Sequence, residues 1–245
     1  MADALNVFLL DRSGSMDAIK ENTISNFNAY VKTLQEDGGD GLHFTFLQFD
    51  SQSLDKIHVN VPVSDVPPLT DAGFQPRGMT PLRDAIYKTI KATEGAVTPL
   101  MRVTITVLSD GHENASREVS MAQLNDLIKQ KTEEGWQFNY LGASIDAYKE
   151  GTQMGFSAAA CMSYNAAAPG MAAAAFAGTA SNNVNFMRGL SADTVYSERQ
   201  KRMAGDKFAA QYESTAAATH ISPAASSKTE LPPPTPIVDD FYIKE

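Results

Sequence analysis

The apolar run Leu5-Asn6-Val7-Phe8-Leu9-Leu10 stops abruptly on the polar turn Asp11-Arg12-Ser13-Gly14-Ser15. A run this apolar reads as a strand, residues 4–10, buried on both faces, and such a strand needs helices packed above and below its sheet. A second run, Met101 to Leu108, has the same character and stops on Ser109-Asp110-Gly111. Two carboxylates therefore stand directly behind two central strands.

The segments between and beyond these runs alternate in period. Ile19, Ile24, Phe27, Tyr30, Val31 and Leu34 share one face of a helix over Asp17–Glu36, and Gly38-Gly39-Asp40-Gly41 ends it. Leu42–Phe49 is a strand, and Leu54–Val63 is its edge partner, closed by Pro62 and Pro67-Pro68. Pro81 suits the first turn of a helix running to about Thr93. Met121, Leu124, Leu127 and Ile128 mark another helix, followed by a strand at Trp136–Leu141. A helix near Asp146–Gly155, a short strand near Cys161–Tyr164 and an Ala-rich helix from about Gly170 to Met187 complete the series. Repeated crossovers predict a doubly wound α/β fold: a mostly parallel central sheet with one antiparallel edge strand and helices on both faces.

Past Arg188-Gly189 the rhythm weakens. The expected organisation is an α/β domain over 1–190 and a peripheral helical extension over 191–213, with Ser197–Tyr212 read as one charged helix. A Pro/Ala/Ser/Thr-rich linker follows over 214–236, then an acidic-aromatic segment over 237–245. That last segment joins Asp239 and Asp240 to Phe241, Tyr242 and Ile243, charge beside hydrophobic anchors, and reads as a docking element for another protein or for its own domain.

Composition narrows the function classes. A formal net charge of −9 opposes a broad nucleic-acid-binding face, and the short stripe Arg199, Lys201, Arg202, Lys207 does not reverse it. With Cys161 the only cysteine, there is neither a disulfide framework nor a multi-thiolate metal site. Asn165, Pro169, Gly170 and Gly178 interrupt the Ala-rich stretch, so no transmembrane segment is expected, and no basic leader or export cleavage signal opens the chain. These readings lead to the expectation of a cytoplasmic protein.

Asp11, Ser13 and Ser15 on one short turn are hard oxygen donors, and Gly14 leaves the turn conformational room. Alone they have a second reading as caps of the first helix. Thr80 precedes one crossover helix and Asp110 another, so all five side chains can meet above the carboxyl ends of parallel strands. Three hydroxyls and two carboxylates favour Mg²⁺ or Mn²⁺, with water or an acidic ligand completing six-coordination.

Asp11-x-Ser13-x-Ser15, Thr80 before a helix, and Asp110 in Ser109-Asp110-Gly111 resemble the metal-ion-dependent adhesion site of the von Willebrand factor A family, in its compact stand-alone bacterial or phage form. The motif pieces span the first half of the chain, and the sheet-helix rhythm extends the resemblance to about Met187. It implies metal contacts from Ser13, Ser15 and Thr80, and from Asp11 and Asp110 directly or through water. It also implies a partner Asp or Glu at the remaining position, and a protein partner within an ATPase-linked or stress-response assembly. Met79 departs from the glycine that many relatives carry there. The rim expected to select the partner comprises Arg12, Arg77, Met79 and His112, with Arg83 a further cation nearby.

The alternative is a metal-dependent phosphatase or hydrolase with Asp11 as nucleophile. Ser13 stands where such an enzyme needs a second acid, and no Gly-rich nucleotide loop is evident, so no catalytic residues are assigned. His112, Glu113 and Asn114 read as an exposed loop near the cleft, and Asp50-Ser51 as an ordinary strand cap.

Overall fold

The structure is a computed structural model that describes residues 3–212. Six strands, β1 (Ala4–Asp11), β2 (Leu42–Phe49), β3 (Leu54–Pro62), β4 (Arg102–Ser109), β5 (Gln137–Ala143) and β6 (Cys161–Tyr164), form one sheet in the order β3-β2-β1-β4-β5-β6. Every pairing is parallel except β2 with β3. The helices are α1 (Lys20–Asp37), α2 (Leu82–Glu94), α3 (Met121–Glu133), α4 (Ala147–Met154), α5 (Pro169–Met187) and α6 (Glu198–Met203).

All eight residues of β1 are buried because the strand feeds two cores. Phe8 and Leu10 pack with α1 and α5 on one face; Leu5, Val7 and Leu9 pack with α2, α3 and α4 on the other. Each such side chain contributes about 1.5–3 kcal/mol when fully buried. The edge strand β3 is only partly covered, and its ladder is irregular around Phe44–Leu47, where Asn60 takes φ 52° and donates its N–H to Thr45 Oγ1 at 2.9 Å. A twist of this kind, with Pro62 at the strand end, blunts an otherwise open edge.

A polar chain crosses the α1/α5 core. Asn6 Nδ2 donates to Thr104 Oγ1 at 2.7 Å, Tyr30 OH donates to Asn6 Oδ1 at 3.0 Å, and Asn183 Nδ2 donates to Tyr30 OH at 2.8 Å and to Thr106 Oγ1 at 3.1 Å. These bonds tie β1 and β4 to α1 and α5 through directional contacts that apolar packing lacks.

The segment expected as one peripheral helix over Ser197–Tyr212 is broken. Helix α6 ends at Met203, and Gly205 takes φ +69°, a left-handed turn natural to glycine. Asp206 then accepts from Tyr148 OH at 2.7 Å and from the Ser163 N–H at 3.1 Å, pinning the chain back on α4 and β6. Lys201 is buried, with its ammonium over the Tyr148 ring and 3.2 Å from Glu198, so it leaves the expected basic stripe.

Candidate metal centre

Strand order decides which loops meet. The chain leaves β1 toward β2 on one side and continues from β4 toward β5 on the other, so the carboxyl ends of β1 and β4 flank the switch point where open α/β sheets bind ligands. Leu10 lies beside Leu108 in register, which brings Asp11 to Ser109 and Asp110. Ser109 Oγ donates to Asp11 Oδ2 at 2.5 Å, and the Ser13 N–H donates to Asp11 Oδ1 at 2.7 Å. Ser13 Oγ lies 3.2 Å from Ser15 Oγ, which donates to Asp110 Oδ1 at 2.6 Å. Ser13 precedes a 3₁₀ turn over Gly14–Ile19, yet its hydroxyl caps nothing there, and α1, which follows Ile19, has no side-chain cap. Helix capping therefore does not account for the two serine hydroxyls.

Thr80 reaches the same place from the loop before α2. A Cβ on Gly111 would stand 3.2 Å from Thr80 Oγ1 and 3.6 Å from Ser15 Oγ, so both hydroxyls border one small space beside that glycine. The Gly14 N–H donates to Gly78 O at 3.1 Å, joining the first loop to the second. Gly78 takes φ +70°, and a Cβ there would come within 2.6 Å of Ser51 Oγ, so a side chain is opposed by both conformation and space. Asn114 clamps Thr80 from the third loop, accepting its N–H at 2.9 Å on Oδ1 and donating the Asn114 N–H to Thr80 O at 3.2 Å.

Two carboxylates fasten that third loop to the start of α2. Glu113 accepts from the N–H groups of Arg83, Ala115 and Ser116 at 2.8, 3.0 and 2.7 Å. Asp84 accepts from those of Arg117 and Val119 at 2.8 and 2.9 Å. Sequence reasoning missed Ser109, Asp84 and Gly111 as contributors and read Glu113 and Asn114 as an exposed loop. Their signal was position alone, since Asp, Glu and Asn beside a helix start are common backbone acceptors.

The cluster is graded in depth. Asp11, Ser13 and Thr80 are buried, Asp110 is half-buried and Ser15 is exposed, so the constellation opens at one side. Burial pushes the Asp11 carboxyl up to about 6, against the opposing hydrogen bonds from Ser109 and Ser13 and with a further upward push from Asp110. Burial likewise raises the Asp110 carboxyl above its ordinary range. Among the described residues no three His, Cys, Asp or Glu side chains gather as a metal cage. The convergent set is two carboxylates and three hydroxyls, a donor set weighted to neutral oxygen.

The expected rim divides. Arg12 is buried and does not face a partner: its guanidinium lies 2.8 Å from both Asp50 and Asp55 and donates to Ser53 Oγ at 2.9 Å. The burial follows from position, because Arg12 continues β1 and its N–H still bonds Phe49 O of the neighbouring strand at 2.7 Å. Asp50 caps its own turn through the N–H groups of Gln52 and Ser53, in keeping with a strand cap. Burial pushes its carboxyl up, but the bonds from Arg77, Gln52 and Arg12 outweigh this and hold it below the ordinary range. Arg77 also pairs with Asp50, at 2.9 Å, while its side chain stays partly exposed. Met79 is exposed beside Thr80, and His112 is exposed with Nδ1 2.8 Å from Glu150 Oε1. The tail residues Asp239, Asp240, Phe241, Tyr242 and Ile243 lie outside the described residues.

Solved structures with the same arrangement of strands and helices place this architecture. The vWF domain of the type V pili tip protein Mfa5 from Porphyromonas gingivalis matches with a TM-score of 0.60 at 10% identity, over 76% of this chain and 96% of that one. The fold is that of the von Willebrand factor A domain. The pilus adhesin SpaC from Lactobacillus rhamnosus GG, in its open conformation, matches with a TM-score of 0.58 at 11% identity, over 76% of this chain and 30% of that one. Proximal thread matrix protein 1 from the mussel byssus, with a zinc-occupied MIDAS motif, matches with a TM-score of 0.53 at 16% identity, over 72% and 46%. The chain thus spans less than half of these last two proteins. No protein-family model matches the sequence, and no curated protein does. Among the described residues no helix is long and apolar enough to cross a membrane.

Proposed function

We propose that the chain is a divalent-cation-dependent protein-interaction module that holds a partner's Asp or Glu carboxylate through a Mg²⁺ site, with Mn²⁺ an equivalent occupant. Asp11, Ser13, Ser15, Thr80 and Asp110 would hold the ion. The observation that carries this reading is the one-sided opening of a five-residue oxygen cluster assembled from three loops, with buried donors at its floor and Ser15 and Asp110 at its mouth. Hydroxyl and carboxylate oxygens are the donors that a small hard cation prefers. A burial-raised Asp11 is relieved by a positive charge placed beside it. When bound, the ion supplies a Lewis-acidic position for an incoming carboxylate oxygen.

The protein's own groups do the positioning. Ser109 and the Ser13 N–H orient the Asp11 carboxylate, Asn114 fixes Thr80, and Glu113 with Asp84 hold the Asp110 loop against α2. Met79, His112 and the exposed part of Arg77 are the rim side chains left to meet a partner. The mussel protein, described with a zinc-occupied MIDAS motif, shares this fold and so supports a metal-binding reading. The reading involves no turnover: His112 is turned to Glu150, and the carboxylate that accepts from Ser15, Asp110, is assigned to the ion. A cytoplasmic setting and a place in an ATPase-linked or stress-response assembly belong to the same proposal; the fold occurs in pilus proteins too and brings no compartment with it.

The test is calorimetric titration with Mg²⁺ and Mn²⁺, followed by affinity capture with Mg²⁺, with EDTA, and with Asp110→Ala. Binding that Asp110→Ala weakens at least tenfold, and partners lost in both perturbed captures, are expected. An unchanged partner set would refute carboxylate bridging. Phosphoester turnover lost in Asp11→Asn would establish the hydrolase instead.

A further inference from the structure

Beside Thr80 the surface falls into a groove of about 410 Å³ between the β2–β3 turn and the outer face of α2. Phe49, Leu54, Met79, Pro81 and Ala85 make part of its lining apolar; the rest is polar, with Lys88 and Arg117 beside three acids, of which Asp50 is engaged by Arg12 and Arg77 and Asp84 by backbone N–H groups. Lys88 is paired with Glu118, whereas the Arg117 guanidinium makes no ion pair among the described residues. The carboxylate-accepting chemistry proposed for the metal centre thus lies next to a groove of mixed lining that offers apolar side chains and, in Arg117, a cation outside the ion pairs. They suit a short segment that carries acids beside aromatic side chains.

The chain contains one. Asp239-Asp240-Phe241-Tyr242-Ile243 is the place beyond Tyr212 where adjacent acids meet aromatic residues. The described chain also leaves at the right end of the sheet. Tyr212 OH donates to Asp146 Oδ2 at 3.2 Å, and its ring stacks on Tyr148 at 4.7 Å. Asp146 follows β5 and caps α4, so it belongs to the carboxyl-end loops that also hold Asp11 and Asp110. β5 is two strands from β1, about 10 Å at ordinary strand spacing. The 26 residues 213–238 allow a reach of up to about 86 Å, at about 3.3 Å per residue. Reach is therefore ample.

Resting on the metal-dependent reading above, we infer that Asp239–Ile243 is the site's intramolecular ligand: one of its two carboxylates takes the open metal position, and Phe241 and Tyr242 enter the groove beside Met79. The segment would act as a tethered competitor of the partner. A tether of this length gives an effective concentration of about 1 mM. At an intrinsic dissociation constant of about 1 mM it lowers a partner's apparent affinity about twofold, and at about 0.1 mM about tenfold.

The experiment uses the full chain, uniformly ¹⁵N-labelled, with Mn²⁺ as paramagnetic probe and Mg²⁺ as diamagnetic reference; water-proton relaxation independently reports bound Mn²⁺. Amide signals of residues 239–243 are expected to broaden with Mn²⁺ and to recover in the D239N/D240N double variant and in Asp110→Ala. Mg²⁺ is expected to shift the amides of Ala85 and Lys88, and Phe241→Ser/Tyr242→Ser to remove that shift. Bound Mn²⁺ with sharp tail signals, or broadening that survives D239N/D240N, would overturn the inference while leaving the metal site standing. Broadening that fades on dilution would make a second copy the occupant and overturn it equally. Mn²⁺ that fails to bind, or that binds Asp110→Ala as tightly, would bring down the metal reading itself and this inference with it.

Discussion

Arg12 separates a structural role from a recognition role with one substitution. Replacing it by methionine retains most of the apolar stem and removes the guanidinium from a carboxylate whose side chain is 0% exposed. Removing one partner of a buried ion pair costs about 3–5 kcal/mol. Asp50 would keep Arg77 at 2.9 Å and the N–H groups of Gln52 and Ser53 at 2.7 and 3.0 Å, so the expected loss is smaller, roughly 2–3 kcal/mol. The Asp55 contact adds less, because that carboxylate is 40% exposed and partly screened by solvent. Urea denaturation of Arg12→Met, Asp50→Asn and the double variant measures the coupling, and the double variant should fall short of the summed losses by about 1–2 kcal/mol. A folding stability changed by less than about 0.5 kcal/mol, together with weakened partner binding, would refute the buried-clamp assignment and return Arg12 to the rim.

Three further outcomes follow from the same geometry. Gly111→Ala places a methyl 3.2 Å from Thr80 Oγ1 and is expected to weaken Mg²⁺ binding at least tenfold by calorimetry, while stability moves by no more than about 1 kcal/mol; unchanged affinity would show that the hydroxyls do not converge on the ion. Asn114→Ala frees the Thr80 backbone and should cost about 1 kcal/mol in thermal unfolding and lower Mg²⁺ affinity as well. Lys131 sits between Glu94 at 2.8 Å and Glu134 at 2.7 Å. Burial pushes the Glu94 carboxyl up, but Lys131 and Lys91 outweigh it and leave it below its ordinary range; burial lowers the Lys131 ammonium, but its two glutamates outweigh that and raise it. The acid-side stabilisation is therefore present above about pH 4.5 and lost as pH falls through the lowered Glu94 value, and the base-side part is lost as pH rises above about 10.5. Lys131→Met should flatten both limbs of a stability–pH curve, and parallel curves would contradict the assignment.

The strands were legible because β1 and β4 are apolar enough to require cover on both faces, and because α1 and α3 show helical spacing of their apolar residues. Leu42–Phe49 and Cys161–Tyr164 begin and end as read, since turn residues bound them. What pattern cannot show is strand order, and order is what sets Ser109 against Asp11 and Gly111 between Thr80 and Ser15. Arg12 was misplaced for a related reason: an arginine in a loop motif looks exposed until the neighbouring strand supplies Asp50. The break after α6 turns on Gly205 and on Asp206 reaching Tyr148, contacts that sequence spacing does not encode.

The polar chain through Tyr30 has a consequence for the order in which the protein assembles. Ala172, Ala175 and Ala180 let α5 pack closely, and Phe176 seats it against Phe8 and Tyr164. Asn183 adds a directional constraint to this packing, because its amide donates to both Tyr30 OH and Thr106 Oγ1. Its partner on α1 is 153 residues earlier, so during synthesis the α1 face waits uncovered until nearly the whole domain has left the ribosome. Docking of α5 is then expected as a late step, with Asn183→Ala accelerating unfolding more than it slows folding in stopped-flow measurements. A mainly slower folding rate would place that helix in the nucleus instead.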